Sequence, residues 1–110
     1  MYRTLRDTNQ GLREVVVGFA EKLIRTPSLS LGEGRVAELV EAKMKELGYD
    51  KVFSDDAGNI VGVLFGRQSS PTVLLNSHMD TVAPGQDDPW ESNPFSGHVG
   101  DNRLFGLGAS

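Results

Sequence analysis

A chain of 110 residues is the size of one small domain, able to bury roughly two thirds of the surface that its unfolded form exposes. Its 15 acidic and 11 basic side chains leave a charge of -4 with no Lys/Arg cluster, which argues against a nucleic-acid or anionic-membrane surface. With no cysteine, neither a disulfide nor a thiolate metal site can be built, so any metal must use His, Asp or Glu. The polar start MYRTLRDTNQ has no apolar signal region, and no apolar run approaches the ~18 residues of a membrane helix. These features read as a soluble cytoplasmic protein whose partners are small molecules or proteins.

In chain order, Leu12, Val15, Val16, Phe19, Leu23 and Ile24 recur at three- and four-residue intervals and predict an amphipathic helix, capped by Asp7 or Thr8 and stopped by Pro27. Val36, Leu39, Val40, Met44 and Leu47 predict a second helix, closed by Gly48. DKVFS and NIVGVLFG, separated by the turn residues DDAGN, predict a hairpin. TVLLNSHMD is a nearly continuous apolar run, which predicts a strand buried on both faces. The order helix, helix, hairpin, buried strand implies an α/β domain with a mixed sheet flanked by helices. From Ala83 onward glycines and prolines interrupt almost everything, and only RLF hints at a strand.

The buried run ends on His78 and Asp80. In an extended segment residues i and i+2 share a face, so these two side chains project together from the strand's C-terminal end, where open α/β sheets place ligands. A neutral imidazole is a good zinc ligand, and a carboxylate beside it can fix its tautomer. The same two residues also fit a hydrogen-bonded surface pair, since a lone HxD arises readily by chance. His98, in a polar glycine-rich loop, reads as structural. Trp90 and Phe95 read as loop anchors, and the acids of GQDDPWE as a solvated loop without the spacing of a calcium loop.

The longer string SHMDTVAPGQDDPWESNPFSGHVGDNRLFGLGAS, with RTPSLS, GEGRVAELV and LGYDKVFSDDAGNIVG upstream, resembles a zinc-dependent peptidase family. That family comprises the aminoacylases, acetylornithine deacetylases, succinyl-diaminopimelate desuccinylases and carboxypeptidases G. Its pattern runs HxDTVP, a Trp, a Pro-Phe pair, a Gly-rich strand and GxGxxD. Two departures are visible: Ala83 stands between the usual Val and Pro, and Leu107 stands where Arg is frequent.

The resemblance implies that residues 1–110 are the N-terminal part of a metallopeptidase catalytic domain, with the lid (dimerisation) domain absent. By it, His78 corresponds to a metal-ligating histidine and Asp80 to the catalytic acid that orients the site without touching metal. It implies two Zn2+ per complete site, with Co2+ or Mn2+ as alternatives, and hydrolysis of the amide bond of an N-acyl amino acid or small peptide. It also places the acid that bridges both metals directly after Ser110. Since catalytic zinc takes about three protein ligands, one histidine implies zinc binding weaker than micromolar and no hydrolysis by these residues alone. A family homodimer is expected only with the lid. The rival reading is a non-catalytic interaction module that docks partners through uncovered sheet and helix surface.

Overall fold

The computed structural model describes residues 2–86 and 89–109. The chain divides into two compact units, one made of Met1–Pro27 with Ala83–Ser110 and the other of Ser28–Val82. The acids Asp87 and Asp88 of the GQDDPWE segment lie outside the described residues.

In the first unit, helices α1 (Tyr2–Gly11) and α2 (Arg13–Ile24) follow one another with a break at Leu12. The expected cap at Asp7 or Thr8 is corrected: both lie inside α1, and the Thr8 hydroxyl donates back to the Thr4 carbonyl at 2.8 Å instead of capping α2. α2 begins after Leu12 with no side-chain cap, and Glu14 in its first turn complements the helix dipole. It closes where Arg25 N–H reaches Glu21 O at 3.0 Å, two residues before Pro27, which has no N–H to continue the ladder.

Ile24 is the buried apolar side chain of α2, and Gly106 lies against it. Strands β3 (His98–Gly100) and β4 (Arg103–Phe105) form an antiparallel ribbon with Gly100 opposite Arg103. The two residues between them, Asp101 (φ 51) and Asn102 (φ 60), both take positive φ, the geometry of a type I′ turn whose twist suits a two-residue hairpin. The RLF strand is therefore present. His98 opens its partner strand rather than sitting in a loop, with its ring stacked on Phe105 at 6.0 Å. Arg13 Nη2 donates to Asn102 Oδ1 at 2.8 Å, and Arg25 Nε donates to Ser96 O at 2.9 Å. Trp90 stays 40% exposed, so it is only partly an anchor, while Phe95 is half-buried.

In the second unit, α3 (Gly34–Glu46) carries the second apolar stripe, with Val36 buried. Its end is satisfied as the sequence predicts: Gly48 takes φ 77, Gly48 N–H bonds Lys45 O, and Tyr49 N–H bonds Met44 O. α3 packs on the antiparallel hairpin of β1 (Lys51–Ser54) and β2 (Ile60–Val63), in register Lys51 to Val63 and Ser54 to Ile60. Asp55 closes the loop, accepting from Ala57 N–H, Asn59 N–H and Asn59 Nδ2 at 3.0, 2.9 and 2.8 Å. The ring of Tyr49 lies over Gly62, in space that any side chain there would occupy.

Two expectations are corrected. Residues 72–80 form no strand: Val73, Leu74 and Leu75 are 78%, 84% and 90% exposed, not buried on both faces. A strand exists only when a neighbour accepts and donates its backbone hydrogen bonds, and among the described residues the run gains only a bridge at its far end, Leu29 to Thr81. The mixed sheet accordingly resolves into two separate antiparallel ribbons, with that bridge the parallel pairing among the described residues. The mixed α/β character stands. No described helix is long and apolar enough to cross a membrane.

Candidate metal-ligand pair at His78 and Asp80

The bridge between Leu29 and Thr81 builds the site. Thr81 N–H donates to Ser28 O at 2.7 Å, and the Ser28 hydroxyl, on a residue 3% exposed, donates to Met79 O at 2.8 Å. This seam holds residues 28–30 beside residues 79–81, so positions 50 apart in sequence meet. The Ser30 hydroxyl then donates to Asp80 Oδ2 at 2.6 Å. The other oxygen, Oδ1, lies 3.0 Å from His78 Nδ1, and the main-chain oxygen of Asp80 lies 2.8 Å from the same nitrogen.

Those distances decide the imidazole tautomer. A main-chain carbonyl can only accept, and so can an ionised carboxylate, so Nδ1 must carry the proton for either contact to be a hydrogen bond. In the neutral ring the lone pair is then on Nε2. The His78 side chain is 82% exposed and that of Asp80 39%, which leaves the ring open to solvent while the acid is partly covered. The Ser30 hydroxyl holds the Asp80 carboxyl below its ordinary value; partial desolvation opposes it, and His78 adds to the lowering. Asp80 therefore stays a carboxylate across the neutral range.

His78 and Asp80 thus project together as their spacing predicts, although from irregular backbone and not from a strand. Spacing alone did not reveal Ser28 and Ser30; their signal was the small, alternating polar pattern of RTPSLS, a segment with no nearby partner in sequence. His98 belongs to the other unit, where it packs on Phe105. Among the described residues no group of three or more His, Asp or Glu could enclose a metal ion. Among the described residues the pair's donor atoms fit one ligand position of a metal site, through the His78 imidazole.

The chain is 32% identical over 92 residues to the uncharacterized protein YgeY of Escherichia coli (strain K12), a match covering 84% of this chain and 22% of that protein. It is also 32% identical over 98 residues to a succinyl-diaminopimelate desuccinylase of Methylorubrum extorquens, covering 84% of this chain and 26% of that enzyme. The chain spans about a quarter of the length of these curated relatives. No protein-family model matches the chain, and no solved structure matches it.

Proposed function

We propose that the chain is the N-terminal portion of a two-zinc amidohydrolase that cleaves the acyl amide of an N-acyl amino acid or small peptide. The observation that carries this reading is the pair of Asp80 oxygens on His78 Nδ1, which in the neutral ring leaves the lone pair on Nε2 for a metal. The similarity to a desuccinylase supports the class of reaction.

In this reading His78 would hold one zinc through Nε2. Asp80 holds the Nδ1 proton, keeps the ring in one orientation and raises the basicity of the ligand. Bound zinc supplies a polarised water and stabilises the oxyanion. The reading requires further ligands, a general base and surfaces that select the acyl group, and among the described residues no group of three or more His, Asp or Glu could hold a metal ion. We expect these 110 residues by themselves to bind zinc weakly through His78 and to show no hydrolysis.

The test is a zinc titration of the chain followed through the His78 ring nitrogens. Weak, saturable perturbation of Nε2, absent in His78→Ala, supports the reading. Zinc binding that survives His78→Ala, or that enters through another residue, overturns it.

A second reading, a non-catalytic interaction module, is favoured by the exposure of Val73, Leu74 and Leu75, an apolar stretch that pairs with no strand among the described residues and is suited to accepting one. Light scattering separates the two: association abolished by Leu75→Lys, with His78 zinc perturbation lacking, favours the module.

A further inference from the structure

The seam between residues 28–30 and 79–81 does more than join two segments, because its last member aims a side chain at the acid of the pair. The two Asp80 oxygens are divided: Oδ2 takes the Ser30 hydroxyl at 2.6 Å and Oδ1 faces His78 Nδ1 at 3.0 Å. A carboxylate rotates about its last bond over a broad, two-fold well. With Oδ2 tied, that rotation is stopped and Oδ1 is presented in one direction. Ser30 is itself held by the chain on both sides, through the Leu29 to Thr81 bridge before it and the Gly32 N–H to Leu29 O bond at 2.8 Å across it.

We infer that Ser30 is a positioning residue that acts through Asp80 to fix the Nδ1-protonated tautomer of His78 and so keep Nε2 available as a donor. The Ser30 hydroxyl bonds the carboxylate, and its effect on the ring passes through Asp80. A hydroxyl suits the task because it donates one strong hydrogen bond to an anion without adding a charge that would compete with the imidazole. The inference deepens the zinc reading and rests on it for its functional meaning, but the tautomer itself exists without metal.

There is a competing holder. The main-chain oxygen of Asp80 lies 2.8 Å from Nδ1, slightly nearer than Oδ1, and could keep the tautomer without help from the carboxylate. The two possibilities differ in what removing the Ser30 hydroxyl does.

The experiment uses long-range proton–nitrogen correlation spectra of the His78 ring in the 110-residue chain, at a pH where the ring is neutral. The wild type is expected to show the Nδ1–H tautomer predominating. Ser30→Ala is expected to move the population at least several-fold toward Nε2–H, and Ser30→Thr, which restores the hydroxyl, to return it. Ser30→Val keeps the bulk of Thr without the hydroxyl, so a Thr/Val difference at unchanged backbone amide shifts answers the question even if the Ala variant loosens the seam. A tautomer population equal in wild type, Ala and Val overturns the inference and assigns the holding to the Asp80 main chain. Zinc added to the wild type tests the metal reading separately: an unperturbed Nε2 with an intact Ser30 effect sinks the zinc reading and leaves the positioning role standing.

Discussion

Thr81 N–H donates to Ser28 O at 2.7 Å, from a residue 53 positions further along the chain, and with the Thr81 hydroxyl, 3.3 Å from the same carbonyl, it anchors the seam on which the His78–Asp80 pair depends. Ser28 anchors it a second time through its hydroxyl to Met79 O at 2.8 Å, from a position 3% exposed. Ser28→Ala removes that donor and leaves the carbonyl without it, at a cost of about 1 kcal/mol. The expected outcome is a lower urea midpoint and faster hydrogen exchange at Thr81 N–H, with the α3–hairpin amides unaffected. Unchanged exchange at Thr81 would mean the backbone bond holds the seam unaided.

Gly106 takes φ 154, and a Cβ built there collides with Ile24 Cγ2 and comes within 3.1 Å of Pro94 O. Gly106→Ala must displace a buried side chain or the backbone, so it is expected to destabilise the unit containing α2 and β4 by about 1–3 kcal/mol. Thermal unfolding measures this. In a double-mutant cycle with Ile24→Ala, which removes the colliding Cγ2, the cost of Gly106→Ala is expected to shrink.

Acid should weaken the fold through two carboxyls. The Asn59 side-chain amide, with main-chain N–H groups, lowers the pKa of Asp55, and the Ser30 hydroxyl lowers that of Asp80. A carboxyl depressed in the folded state stabilises it above the ordinary value, here 3.8, and loses that contribution as pH falls through the folded value. The urea midpoint is therefore expected to be flat from about pH 5 upward with respect to these two groups, and to drop below pH 3.8. Asp55→Asn and Ser30→Ala should each shrink the acid-side drop.

Zinc affinity is expected to be weaker than micromolar for the chain, because a single imidazole cannot close a site that needs about three protein ligands. Calorimetry decides it. A tight stoichiometric isotherm abolished by His78→Ala would mean that further ligands converge on Nε2. Asp80→Asn should leave His78 able to bind but weaken it, by roughly 10- to 100-fold in a completed site, as for other partners that orient a metal-bound histidine.

Helices α2 and α3 and the β1–β2 hairpin were legible because each is encoded within a few residues. Apolar side chains return every three or four positions, Gly48 supplies the positive φ that ends α3, and Asp55 folds its own loop. The β3–β4 hairpin was half legible: RLF hinted at a strand, but its partner did not show, because three-residue strands are too short to show alternation. The meeting of His78 and Asp80 agrees with their two-residue spacing, although the strand from which that spacing was argued is absent. What sequence could not decide was every relation that depends on a partner far along the chain. TVLLNSHMD has the composition of a buried strand, yet a strand is a relation between two segments, and no described segment pairs along it. Ser30 reaches Asp80 only because the register of Leu29 against Thr81 puts it there, and register is set by tertiary pairing rather than by any local preference of serine.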